Sequence, residues 1–202
     1  MILKLAPLFV LAVSAHAQSM IDLMVAMRQN VVWRVSLHWH QNIVTSVFWV
    51  GEPPRPEIRD PGNLRSSFDP DWLVTAKYQS QWYVALPYTD LTAGPHTKPE
   101  AASIIPWFRQ AFIHDGQSVC NGRWIAIRHA GRVCYAQWRD SGPRVTDDAD
   151  YVFGNARPRS DRGLDVSPAI RYYLGLKNLD ICDWSFVSAP RPGRWLSISQ
   201  PK

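Results

Sequence analysis

The 202-residue sequence predicts a mainly β protein with short inserted helices, a small barrel or sandwich, and three observations point there. Residues 122–140, GRWIAIRHAGRVCYAQWRD, hold two alternating apolar runs around His129-Ala130-Gly131-Arg132, the pattern of a β-hairpin. Strand-like stretches outnumber helical ones along the chain. With 46% hydrophobic residues, the chain can bury one core, so a single domain is expected.

The first stretch, MILKLAPLFVLAVSAHAQS, has a lysine near its start, an apolar run from Leu5 to Val13 and the small-residue triplet Ala15-His16-Ala17. This is the pattern of a secretory signal cut after Ala17, which places the mature protein in a secreted or periplasmic setting. The apolar run is much shorter than the roughly 20 residues a membrane-spanning helix needs, so no stable membrane anchor is expected after cleavage. Without Lys4 the balance is 21 basic against 17 acidic residues. That mild excess suits an anionic partner such as a bacterial wall or an acidic glycan, or simply solubility. The arginines are scattered and accompany no recognised motif, so nucleic acid is not expected as a partner.

Residues 18–79 read as an N-terminal elaboration. They include a short helix at 20–28, strands around 31–37 and 43–50, and a loop at 51–71 with five prolines and two glycines. SQWYVALPY, 80–88, reads as a strand, and KPEAASIIPWFRQAF, 98–112, as a helix interrupted or bounded by Pro106. After the hairpin comes a loop rich in Asp, Pro and Arg at 141–161. RGLDVSPAIRYYLGL follows, where Asp165 ends a strand just before a helix over 168–174. Ser167 suits its N-cap, Pro168 its first turn, and Gly175 the left-handed residue that closes it. CDWSFVSAP, 182–190, is the last strand, and 191–202 form a tail.

A two-residue turn at Ala130-Gly131 makes hairpin partners sum to 261, so Cys134 faces Ile127 and Cys120 faces Ser141. A Cys120–Cys134 bridge would then span about seven strand residues, beyond disulfide reach. Cys134 is therefore expected as a buried thiol, and Cys120–Cys182 is the favoured pair in an oxidising compartment.

Residues two apart on a strand share a face, so Ile125 and Ile127 lie with Cys134, Ala136 and Trp138, and that face then ends in Asp140. Asp165 likewise ends an apolar strand, so two carboxylates are expected to converge at one rim. Two acids in partly apolar surroundings can be driven apart in pKa, giving the donor and base that cleave glycosidic bonds. Each Asp also has a plain structural reading, Asp140 as a turn cap and Asp165 as an acceptor of the N–H groups at the helix start.

These residues resemble a known group. VCYAQWRDSGP and RGLDVSPAIRYYLGLKNLDICDWSFV look like the double-psi β-barrel of the first domain of expansins, shared by rare lipoprotein A and by glycoside hydrolase family 45. The matching positions are Asp140-Ser141-Gly142-Pro143, Leu164-Asp165-Val166-Ser167-Pro168, Leu174-Gly175 and Trp184-Ser185-Phe186-Val187. Upstream, VALPYTD and GQSVCNGRWIAI are similar to the family's earlier strands. The resemblance covers roughly residues 80–190 and implies a six-stranded double-psi β-barrel there, with an N-terminal elaboration before it. It gives Asp165 the role of essential acid, Asp140 that of its neighbour, and Asp90 in PYTD that of the candidate second acid. Leu164 stands where the family has an aromatic or aliphatic residue. The lipoprotein cysteine of rare lipoprotein A and the second domain of expansins have no counterpart in the sequence.

The resemblance implies action on cell-wall polysaccharide, peptidoglycan or a β-glucan, by acid-assisted glycosidic cleavage or lytic transglycosylation. A non-catalytic wall-binding or loosening module, or an exported structural or inhibitory protein, are the alternatives. Trp82, Trp124, Trp138 and Tyr151 are candidate platforms for sugar rings, and core packing is the competing role for each. His38 and His40 share a strand face but lack a third ligand, and Asp147, Asp148 and Asp150 read as a solvated acidic loop, so no metal or cofactor is expected.

Overall fold

The computed structural model describes residues 38–56, 62–94 and 96–197. The signal segment, the helix expected at 20–28 and the strand expected at 31–37 lie outside them. Six strands close into a barrel: β1 (His40–Val47), β2 (Tyr83–Leu86), β3 (Trp124–His129), β4 (Arg132–Ser141), β5 (Leu164–Val166) and β6 (Leu179–Phe186). Around the barrel the order is β1-β5-β2-β4-β3-β6. Among the described residues the helices are short: α1 (Trp72–Thr75), α2 (Ala101–Ile104), α3 (Phe108–Ala111), α4 (Ala149–Val152) and α5 (Pro168–Leu174). The expected helix over 98–112 is split into α2 and α3 around Pro106, which cannot continue a helical ladder.

Two pairings are parallel, β1 with β5 and β2 with β4, and the other four are antiparallel. Exchanging β1, β2, β3 with β4, β5, β6 maps the whole pairing scheme onto itself. The pairing scheme thus has the internal two-fold symmetry that the expected double-psi barrel requires. One boundary differs from the expected one: the barrel takes its first strand from residues 40–47, inside the segment read as an elaboration. That strand pairs in parallel with β5, some 120 residues later, a partner no local pattern announces.

The hairpin is as expected. Ala130 and Gly131 have φ of 46° and 78°, the two left-handed residues of a tight hairpin turn, and Ile127 faces Cys134. Helix α5 spans Pro168–Leu174 and closes on Gly175 at φ 77°. Ser167 stands at its N-cap, but its hydroxyl donates to the Gln81 carbonyl (2.7 Å) and so ties the helix start to the residues before β2. Gly163 opens β5 with its N–H on the Val44 carbonyl (3.0 Å); a Cβ there would lie 2.6 Å from the Tyr151 hydroxyl.

Leu164, Val166, Val84, Leu86, Ile125, Ile127, Ala136 and Trp138 are fully buried. Alternation along β5, β2 and β1 therefore turns Asp165, Ala85 and Ser46 to the outer wall. A segment crosses that wall: Phe48, Trp72 and Ala85 form a buried cluster flanked by Val50, Ala76 and Tyr83. The Pro-rich loop thus ends in a packed strap rather than a purely solvated linker.

All three cysteines are free and buried, which corrects the favoured Cys120–Cys182 bridge. Cys120 sits in the loop before β3, where Asp90 and Arg123 act on it, whereas Cys182 on β6 is paired with Ile43 and acts on Cys134. Burial pushes the Cys182 thiol up to about 11 and Cys134 higher still, so neither is a reactive thiolate at neutral pH.

Candidate functional site on the outer barrel wall

The strand registers bring four residues into one row. Ser46 on β1 is the partner of Asp165 on β5, Asp165 is the partner of Ala85 on β2, and Ala85 is the partner of Asp140 on β4. The two acids the sequence singled out are therefore two strands apart, about 10 Å at their Cα atoms, with an alanine between them. One detail differs from the expected face. Trp138 pairs with Val84 but Asp140 pairs with Ala85, so Arg139 is the extra residue of a bulge. The bulge takes Asp140 off the inward face of Ala136 and Trp138 and sets it on the outer face with Ala85.

The two carboxylates have different surroundings. Asp165 is partly exposed and accepts a short hydrogen bond from the Ser46 hydroxyl; its partner is that side chain, not the helix start. Burial pushes its pKa up to about 6, against the Ser46 hydrogen bond and the charges of Arg162 and Arg144, which pull it down, while Glu52 pushes it up. Asp140 is buried. Its Oδ1 accepts the backbone N–H groups of Ser67 and Ser141, both at 2.8 Å, and the hydroxyls of those two serines are hydrogen-bonded to each other. Burial pushes Asp140 up to about 6 as well, opposed by the Ser67 and Ser141 amides and reinforced by the charge of Asp165. The Asp165 end of the row is thus partly exposed, and the Asp140 end is covered at Ser67.

Asp90 does not join the row through any hydrogen bond. It is fully buried, with one oxygen on the Ser118 hydroxyl (2.6 Å) and the other on the Val119 amide (2.7 Å), and so fixes the loop before β3. The candidate sugar platforms are core residues for the most part. Trp138 and Tyr151 are 0% exposed, and Trp82 is buried against Tyr173 and Trp195. Tyr151 donates to the Gly163 carbonyl (3.1 Å) and accepts from the Trp184 indole (2.7 Å). Only Trp124 of the four is partly exposed. A ring face packed in the core cannot stack on a sugar, and volume-filling is the reason these rings are there.

His40 stacks on Trp184 at 4.1 Å between ring centroids, and Asp147 and Asp148 both pair with Arg159. No group of three or more possible metal ligands occurs among the described residues. Sequence reasoning missed Ser46, Ser67, Arg144 and Arg162. Ser46 lies in a stretch already read as a strand, but its face depends on a partner far along the chain.

Fold and site define a class: a double-psi β-barrel with one partly exposed, raised-pKa aspartate on its outer wall and a second aspartate two strands away under a strap. Neither the protein-family models nor the curated proteins contain a match to this chain. Among solved structures it is similar to the Streptomyces papain inhibitor, with 14% identity over 76% of this chain and 97% of that one and a TM-score of 0.35.

Proposed function

We propose that this is a secreted or periplasmic protein that binds cell-wall polysaccharide along the outer wall and cleaves it with Asp165 as proton donor. The observation carrying this reading is the contrast within the row: both acids are raised to about 6, but Asp165 is partly exposed, whereas Asp140 is buried and its Oδ1 is taken by two amides. One reachable carboxylate suits intramolecular cleavage better than two-carboxylate hydrolysis, which needs a second free base to activate water. Protonated Asp165 gives its proton to the glycosidic oxygen as the C1–O bond breaks. A hydroxyl of the same sugar then attacks C1, and the Asp165 carboxylate takes that hydroxyl's proton, which restores the acid. Asp140 acts as a positioning residue that holds the strap beside the site, and Asp90 remains a loop anchor.

The test incubates the full chain and its Asp165→Asn variant with peptidoglycan, amorphous cellulose and xyloglucan, measuring soluble fragments and pelleted protein together. Fragments from the native protein alone, ending in an anhydro sugar, are the expected result. Equal pelleting without fragments would make the protein a binding module, and neither signal would remove polysaccharide from the reading.

A further inference from the structure

Two arginines that the proposed function leaves unused lie on the segments that enter β5 and leave β4, the strands of Asp165 and Asp140. Arg162 lies three residues before Asp165, on the approach to β5. Arg144 lies four residues after Asp140, on the loop leaving β4, with φ of 65° in the left-handed region that a non-glycine residue rarely adopts. The two loops meet at Asp161: Arg144 Nε is 3.4 Å from Asp161 Oδ1, and Arg162 Nε is 3.4 Å from Asp161 Oδ2. A single carboxylate thus sets two guanidinium groups side by side. A guanidinium held at Nε presents its terminal nitrogens as the fork that binds a carboxylate in bidentate fashion. Asp161 and Arg162 belong to the segment that enters β5, so the contact with Asp161 brings Arg144 to the same approach to Asp165.

On the other side of Asp165 the row continues through Ser46 to Leu179 on β6, its register partner. Leu179 is 51% exposed and Ile181, two residues along, is 43% exposed. Beside the acid there is therefore an apolar strip for the carbon face of a sugar ring, and a cationic pair for a charged substituent.

We propose that Arg144 and Arg162 form a carboxylate-recognising subsite, and that the polysaccharide taken by this protein carries carboxylates on or next to the sugar bound at Asp165. The inference rests on the polysaccharide reading and narrows it from neutral β-glucans to acidic glycans, whether the carboxylate belongs to a wall glycan with its attached peptide or to an acid-substituted glucan. Asp161 is the internal counter-ion that keeps the two guanidinium groups aligned.

Binding of the full chain to two matched pairs decides the matter: peptidoglycan against the same material with its carboxylates amidated, and carboxymethylcellulose against hydroxyethylcellulose. The expected result is at least tenfold tighter binding to the charged member of one pair, weakening as salt is added, and the pair concerned names the source of the carboxylate. Arg144→Gln with Arg162→Gln removes that preference, Arg144→Lys with Arg162→Lys keeps part of it, and Arg109→Gln on α3 leaves it unchanged, with thermal melts showing each variant folded. Equal binding to charged and neutral members overturns the subsite while leaving the polysaccharide reading standing, as does a preference that survives the double Gln variant. Absence of binding to all four polymers overturns both.

Discussion

Ser46 and Asp165 are direct register partners on parallel strands, and the Ser46 hydroxyl donates to the Asp165 carboxylate. This bond favours the ionised acid and offsets part of the rise that burial imposes. Ser46→Ala therefore raises the Asp165 pKa above about 6, by about one unit for a charge-assisted bond of ordinary strength, whereas Ser46→Thr leaves it near the native value. Carbon-detected NMR titration of the Asp165 carboxyl checks both. An unmoved titration in the Ala variant would show that the hydroxyl does not tune the acid.

The raised pKa makes Asp165 a cost to the fold at neutral pH. Its folded value of about 6 exceeds the ordinary 3.8, so the native state holds the proton more tightly than the unfolded chain does. The resulting stability is complete below about pH 3.8 and is lost as pH rises through about 6. Asp165→Asn should raise the stability at pH 8 by about 1 to 2 kcal/mol, allowing for its partial exposure, and by little at pH 3.5. Asp140→Asn also relieves a buried charge but weakens the acceptor of the Ser67 and Ser141 amides, so its gain is smaller or reversed. Thermal melts of the three proteins across pH 3.5–8 separate these effects.

The local grammar of the chain was readable wherever nearby residues fix the backbone. Ala130-Gly131 set the hairpin register to the residue, and Ser167-Pro168 with Gly175 set both ends of α5. Asp165 was legible for the same reason, since it stands between a strand and a helix whose signals lie within ten residues. What escaped depends on distant partners. The strand expected at 43–50 has no assigned place in the sequence, and the one found at His40–Val47 gets its place from β5, its distant parallel neighbour. Strict alternation puts Asp140 on the face of Trp138, and the bulge at Arg139, which leaves no mark in an alternating pattern, moves it to the other. Trp138 and Tyr151 looked like possible platforms because an aromatic residue carries the same letter in a core as in a groove.

Tyr151 offers a direct test of that last point. Its hydroxyl links the Trp184 indole to the Gly163 carbonyl at the start of β5, and it is fully buried. Tyr151→Phe leaves the Trp184 N–H without its acceptor, which costs about 1 to 3 kcal/mol. Chemical denaturation should register the loss, while binding to any polysaccharide that the native protein holds stays unchanged. Weakened binding at preserved stability would return Tyr151 to the binding surface.

His40 gives the fold a pH dependence of the opposite sign. It is buried against Trp184, with Tyr151 and His38 at its edges, each at 5.1 Å between ring centroids. Burial, helped by the charge of His38, lowers its pKa from 6.5 to about 4. The unfolded chain therefore binds a proton that the folded one refuses between those values, so this contribution is complete above about pH 6.5 and is lost as pH falls through about 4. The full effect is up to about 3 kcal/mol. His40→Phe keeps a ring on Trp184 and removes the proton site, so its stability should fall less than that of the native protein between pH 6.5 and pH 4. In the same window Asp140 and Asp165 gain protons and stabilise the fold. Combining His40→Phe with Asp165→Asn removes one contribution of each sign, and a double variant whose stability still fell steeply across that window would mean that neither group governs the acid response.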